Sequence, residues 1–212
     1  MRRLTAACVA FLGFASASMA EQAAPIVESF DGDLSGWTVS NCRIDEAAGA
    51  LVLGLTADTC DGAIGYVETA VQGAWNRTGI FTAEVDLGAN ARAVRSIEIR
   101  VNKGSDMVVC ARVLAFAKGR GTDAEKHVLL SVGSYVPSTK TATRTQADLG
   151  DVPANGTLRL EVGNSDAKAY FNSSPTGDLS VATAEKISGA RLGLMGDRNL
   201  VSVSVTSFNA QP

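Results

Sequence analysis

The chain is poor in the residues that most often carry chemistry. It has one histidine, His127, in 212 residues, so neither a histidine metal cluster nor a histidine-assisted thiol can be built from sequence neighbours. Proline is scarce, at 5 residues, and the 46% hydrophobic and 19% charged content is that of a foldable globule. That balance excludes a disordered chain, a collagen and a coiled coil. A basic excess is also missing: 19 Lys and Arg stand against 22 Asp and Glu, a net charge of −3. Without it there is no electrostatic footprint for a nucleic-acid backbone and no polybasic patch for a membrane. Aromatics make up only 6% of the chain, fewer than an extended sugar-stacking surface usually displays.

What is present begins with an export signal. Met1-Arg2-Arg3 is followed by an uncharged stretch from Leu4 to Ala20, then by Ser18-Met19-Ala20 before Glu21. A positive start, an apolar middle and small residues at the cleavage point are the three parts of a secretory signal peptide. The stretch is rich in Ala and Ser and falls short of the ~20 apolar residues that span a bilayer. Residues 1–20 are therefore expected to be removed and the protein to be periplasmic or secreted, with no membrane span after cleavage. Loss of Arg2 and Arg3 leaves 17 basic residues against 22 acidic ones, a net charge of −5. It also removes Cys8 and leaves Cys42, Cys60 and Cys110, an odd number. Cys42 and Cys60 flank Leu51-Val52-Leu53, a spacing that lets neighbouring strands be stapled in an oxidising compartment, so a Cys42–Cys60 disulfide is expected. Cys110, inside Val108-Val109-Cys110-Ala111-Arg112-Val113, reads as a small buried hydrophobe.

From Ile26 onward apolar residues alternate with polar ones. Phe81, Ala83, Val85 and Leu87 interleave with Thr82, Glu84 and Asp86, and Ile97, Ile99 and Val101 with Glu98 and Arg100. Leu158, Leu160 and Val162, and later Val201, Val203 and Val205, repeat the pattern. A period of two is the mark of strands with one face on a core. Turn clusters such as Asn76-Arg77-Thr78-Gly79, Lys103-Gly104, Asn155-Gly156 and Gly163-Asn164-Ser165-Asp166 punctuate the runs. Asp106 to Lys118 is apolar on both faces and would also suit a helix; recurrent Val and the following Gly119-Arg120-Gly121 make it a central strand. About a dozen strands at this spacing predict an all-β sandwich or barrel, with residues 21–212 as one domain.

Glu28-Ser29-Phe30-Asp31-Gly32-Asp33-Leu34-Ser35-Gly36-Trp37 resembles the opening of exported concanavalin A-like jelly rolls. Gly79 to Leu87 looks like a long strand of that sandwich, Ala169-Tyr170-Phe171-Asn172 like its late hairpin, and Gly189 to Leu194 like its penultimate strand. The resemblance implies a two-sheet antiparallel jelly-roll sandwich. Lectins, carbohydrate-binding modules, glucanases and laminin G-like adhesion domains share that fold, so fold alone selects no function.

Glucanases of this kind carry a run of Glu, any residue, Asp and a second Glu shortly after. This chain offers Glu84-Val85-Asp86 followed by Leu87-Gly88-Ala89-Asn90, without the second acid. A substitute pair arises if residues 80–87 and 95–101 form a hairpin centred near Ala91, which would set Glu84 against Glu98; Arg95 and Arg100 lie close enough to neutralise such a pair. Sugar binding without catalysis needs a stacking aromatic and a few polar groups. Trp75, in the polar loop Gln72 to Arg77, is the expected platform, and Glu84, Glu98, Arg100 and Arg112 the expected polar row; Trp37 reads as core. Asp31-Gly32-Asp33-Leu34-Ser35-Gly36 matches the first half of an EF-hand loop, but Cys42 occupies the position of the bidentate Glu, so no metal is assigned. Lys118-Gly119-Arg120-Gly121-Thr122 lacks Walker spacing, and no cofactor is implied. Asn76-Arg77-Thr78, Asn155-Gly156-Thr157 and Asn172-Ser173-Ser174 fit the N-glycosylation pattern. The expected function is non-catalytic glycan binding on the concave sheet. The alternatives are an adhesion module for an envelope or surface protein and a divergent glycoside hydrolase.

Overall fold

The structure is a computed structural model, and it describes residues 25–30, 37–40, 45–47, 50–53, 64–69, 75–88, 94–119, 125–181, 185–196 and 203–211. Every regular element among them is a strand: β1 (Ile26–Glu28), β2 (Trp37–Ser40), β3 (Asp45–Ala47), β4 (Ala50–Leu53), β5 (Ile64–Thr69), β6 (Gly79–Asp86), β7 (Arg95–Lys103), β8 (Val108–Lys118), β9 (Glu125–Val136), β10 (Thr141–Gly150), β11 (Asn155–Val162), β12 (Asp166–Phe171), β13 (Ser174–Pro175), β14 (Leu179–Ser180), β15 (Ile187–Gly196) and β16 (Val203–Gln211). They form two antiparallel sheets. The larger has 9 strands and runs β13-β12-β11-β6-β16-β4-β3, with β1 on β16 and β14 on β12; the other has 7 and runs β10-β9-β8-β7-β15-β5-β2. Cys8, Cys42, Cys60, Asp31 and Asp33 lie outside the described residues, and so do the disulfide and turn expected there.

The period of two does what it predicts. In β6 Phe81, Ala83 and Val85 are buried while Ile80, Glu84 and Asp86 are exposed, and in β8 buried Val109, Ala111, Val113 and Ala115 alternate with half-buried neighbours. The segment that could also have been a helix is thus a strand, paired between β7 and β9. Inward side chains from both sheets, among them Phe81, Ile97, Ile99, Val132, Leu160, Leu192 and Phe208, make one core. Each fully buried side chain of this size contributes about 1.5–3 kcal/mol relative to leaving it in water.

The hairpin between residues 80–87 and 95–101, on which a Glu84–Glu98 pair was conditional, does not form. β6 pairs with β11 and β16, whereas β7 pairs with β8 and β15 in the other sheet. The chain crosses from one layer to the other between them, a connection that local alternation cannot distinguish from a hairpin.

The same parity that buries Ile97, Ile99 and Val101 turns both terminal residues of β7 inward. Arg95 is fully buried and donates from Nη2 to the Gly88 carbonyl at 3.1 Å. Lys103, 1% exposed, donates from Nζ to the carbonyls of Gly163 (2.7 Å) and Asn164 (3.5 Å). Gly88 follows β6, and Gly163 and Asn164 join β11 to β12. Each end of β7 is therefore tied by a cation to the opposite sheet. Burial pushes the pKa of both groups down; Asp86 opposes this at Arg95, and Asp166 at Lys103.

Candidate functional site

The outer face of the seven-stranded sheet follows from register. Arg112 of β8 stands opposite Glu98 of β7 on one side and Ser131 of β9 on the other, and Gln146 of β10 continues that row. In the next row Arg144, Gly133, Cys110, Arg100 and Arg191 are cross-strand neighbours in succession, from β10 to β15. Side chains on one face of neighbouring strands are ~5 Å apart, close enough to share a ligand.

Hydrogen bonds fix the centre of this face. Arg112 donates from Nε and Nη2 to the hydroxyl of Ser96 at 3.1 and 3.0 Å, and from Nη2 to the Met195 sulfur at 3.4 Å. Arg100 pairs with Glu98 at 2.5 Å, both half-buried. A guanidinium held at a fixed angle by a hydroxyl and a thioether is a pre-aimed donor. Cys110, a free thiol, sits among these groups. Burial pushes its pKa up, Glu98 adds to the rise, and Arg100 and Arg112 act in the opposite direction. It is a small residue in the floor of the face, and the net rise disfavours its thiolate form.

Glu98, Arg100 and Arg112 are thus brought together as the sequence predicts. The other two expected residues are not. Glu84 is on β6, in the opposite sheet, where the Thr157 hydroxyl donates to its Oε1 at 2.6 Å. The Glu84–Glu98 carboxylate pair does not exist, and a single substrate bond cannot lie between them. Trp75 is 1% exposed and packs on Phe81 with ring centroids 5.6 Å apart. A stacking platform must present a bare ring face, so Trp75 is a core residue despite its polar loop, and its indole N–H is buried with no hydrogen-bond partner among the described residues.

The outward positions of β7 are Ser96, Glu98, Arg100 and Asn102: one hydroxyl, one carboxylate, one cation and one amide. They can bind hydroxyls and anions, and they supply no second acid for a retaining or inverting pair. Sequence reasoning missed four residues of the face: Ser96, Tyr135, Arg144 and Arg191. Tyr135 is the penultimate residue of β9 and is 43% exposed, a ring available for stacking. Parity along β9, where His127, Leu129, Ser131, Gly133 and Tyr135 share one side, is the signal that would have found it. No group of three or more His, Cys, Asp or Glu among the described residues is placed to hold a metal ion. A cleft of about 460 Å³ lies on the other sheet, lined by Ile80, Glu161, Asp166, Lys168 and Gln211 among others, and none of the expected site residues lines it.

No family model matches the chain, and no curated protein matches it in sequence. Solved structures do match in shape. The CBM2 module of the evolved Dit of Lactobacillus casei BL23 phage J-1 superposes with a TM-score of 0.67 at 12% identity, over 89% of this chain and 96% of that one. The Bacillus licheniformis β-glucanase gives 0.59 at 12% identity over 89% and 98%. A pseudo-β-1,3-glucanase of Mycobacterium tuberculosis gives 0.56 at 14% identity over 88% and 97%. The fold is the concanavalin A-like jelly roll. Within that jelly roll, the outer face of the seven-stranded sheet is the candidate site, and the fold itself does not say whether such a face binds or cleaves.

Proposed function

We propose that the protein is an exported, non-catalytic binding module that holds a carbohydrate on the outer face of its seven-stranded sheet. The observation that carries this reading is the gathering of Glu98, Arg100, Arg112 and Ser96 on one face of β7 and β8, where Glu98 is the one carboxylate these two strands carry. Hydroxyls are bound by such a mixture of donors and acceptors, whereas glycoside hydrolysis needs a second carboxyl group. Tyr135 supplies an exposed ring at the margin. Shape relatives that include a carbohydrate-binding module and a pseudo-glucanase are in keeping with it. Export is supported by the signal-like residues 1–20.

The test is a panel of polysaccharides scored by titration calorimetry and by release of reducing ends. Binding without release, lost in Arg112→Ala, is expected; release of reducing ends would overturn the non-catalytic reading. N-terminal sequencing of the exported protein should begin at Glu21.

A second reading has one observation in its favour. Among the described residues β10, ten residues long and exposed through most of its length, is the terminal strand of its sheet and pairs only with β9. An open edge of this length can accept an added strand from a protein partner. Silence across the glycan panel together with loss of partner binding in Thr143→Pro would favour it.

A further inference from the structure

We infer that the ligand is an acidic polysaccharide, whose carboxylate or sulfate groups are held by Arg100, Arg112, Arg144 and Arg191. This rests on the carbohydrate reading above and narrows it to a charge class.

Four guanidiniums share the outer face of one sheet in a chain whose net charge is −3. Arg100 and Arg191 stand in direct cross-strand register. Like charges so placed repel, and an anion between or beside them relieves the repulsion. The acids in the same rows are Glu98, paired with Arg100, and Glu68, in register with Arg191. Asp148, nearer the end of the face, is engaged by His127 and Lys118. The rows therefore hold more cations than acids.

The chemistry of the donors separates acidic from neutral ligands. A guanidinium has five N–H donors and no acceptor, so it pairs with groups that only accept, and its planar fork matches a carboxylate or sulfate edge. A neutral sugar hydroxyl both donates and accepts, and a guanidinium meets only its accepting side. The shape of the row agrees. Between Arg100 and Arg144 stand only Cys110 and Gly133, a thiol and a residue with no side chain, across three strand spacings of ~4.8 Å each. A Cβ at Gly133 would meet the Thr143 carbonyl oxygen at 3.2 Å, the Cys110 sulfur at 3.5 Å and the Arg144 Cβ at 3.9 Å. No side chain longer than a thiol therefore stands between the two guanidiniums in that row.

The experiment titrates the whole exported protein with polygalacturonate (carboxylate), carrageenan (sulfate) and amylose (neutral), at low and high salt, with polyglutamate and duplex DNA as other polyanions. Binding of either acidic polysaccharide is expected, weakened by salt because exposed charges are screened. Which of the two binds identifies the anionic group. Arg100→Gln with Arg191→Gln should weaken binding about tenfold, or ~1.4 kcal/mol. Arg144→Gln, an exposed edge change, should weaken it about threefold without touching the fold. Arg159→Gln, on the opposite sheet, should leave it unchanged. Equal binding of amylose and the acidic polymers would overturn the charge class while leaving the carbohydrate reading standing, and silence towards all three polysaccharides would end both. Equal affinity for polyglutamate or DNA would reduce the face to a general polyanion contact and overturn the proposal. Undiminished binding by Arg144→Gln and the folded double variant would overturn the assignment to this face.

Discussion

Replacing Lys103 with methionine removes a buried ammonium and keeps most of its apolar stem. In the native protein that ammonium, 1% exposed as a residue, donates to two carbonyls of the β11–β12 turn at 2.7 and 3.5 Å. Two effects oppose each other. Taking a charge out of water is costly, and replacing a buried ion by a hydrophobe can be neutral or stabilising. Against that, a hydrogen bond from a charged donor is worth about 1.5–3 kcal/mol, and an abandoned buried carbonyl costs about 1–3 kcal/mol. Gly163 is half-buried and Asn164 exposed, so water partly repairs the loss. Lys103→Met should therefore destabilise by about 1–2 kcal/mol, which for a domain of this size lowers the melting temperature by about 2–8 °C.

Urea denaturation followed by circular dichroism measures the first number and thermal melting the second. The pH dependence supplies an independent check. Burial lowers the pKa of Lys103 in the folded state below its ordinary value of 10.5. As pH rises through that window the folded protein releases this proton before the unfolded chain does, so the unfolded state holds more protons and wild-type stability rises. The variant lacks that rise, and the gap between the two should widen as pH climbs toward 10.5. A variant as stable as wild type at neutral pH, with a gap that stays flat, would refute the idea that this ammonium ties the two sheets.

Three further outcomes are expected. Trp75→Ala should cost about 3–5 kcal/mol by leaving a cavity beside Phe81; in a Trp37→Phe background Trp75 emission should be blue-shifted and unmoved by any polysaccharide, and a ligand-dependent shift would return it to the surface. Gly156→Ala should destabilise by about 1–3 kcal/mol, because Gly156 has φ +146° and a Cβ there would meet the Asn172 Oδ1 that accepts the Thr157 N–H; unchanged urea midpoints would contradict this. Cys110 should react slowly with thiol reagents near neutral pH, since burial raises its pKa above the ordinary 9.0. Its contribution to stability is full below pH 9.0 and is lost above it, where the unfolded thiol ionises first. Cys110→Ala should accordingly flatten the alkaline decline of the stability curve, and an unaltered curve would count against that burial.

How much of this was readable in the sequence depends on what each feature needs. Alternation is local, so the strands at Gly79–Asp86, Arg95–Lys103, Val108–Lys118 and Asn155–Val162 were legible, and so was the shared outward face of Glu98, Arg100 and Arg112. Strand partners are not local. The same pattern serves a hairpin and a crossing between layers, which is why Glu84 and Glu98 were expected in one polar row and instead lie on different sheets. β10 has no strong apolar period because an edge strand buries little, and its turn, with Lys140 at φ 54°, carries neither Gly nor Asn. Trp75 was misjudged because its neighbours are polar, while its burial is set by Phe81, a residue of the following strand. Arg95 and Lys103 could have been found: both share the parity of Ile97, Ile99 and Val101, and only their charge argued against an inward position.

A strand clamped at both ends has little freedom to bow or slide. Glu98 and Arg100 ride on such a strand, between the Arg95 and Lys103 anchors, and so hold their places before any guest arrives. The host then forfeits little entropy on association. What remains is the stiffening of the guest itself, so among polymers of equal charge the naturally rigid ones should be favoured.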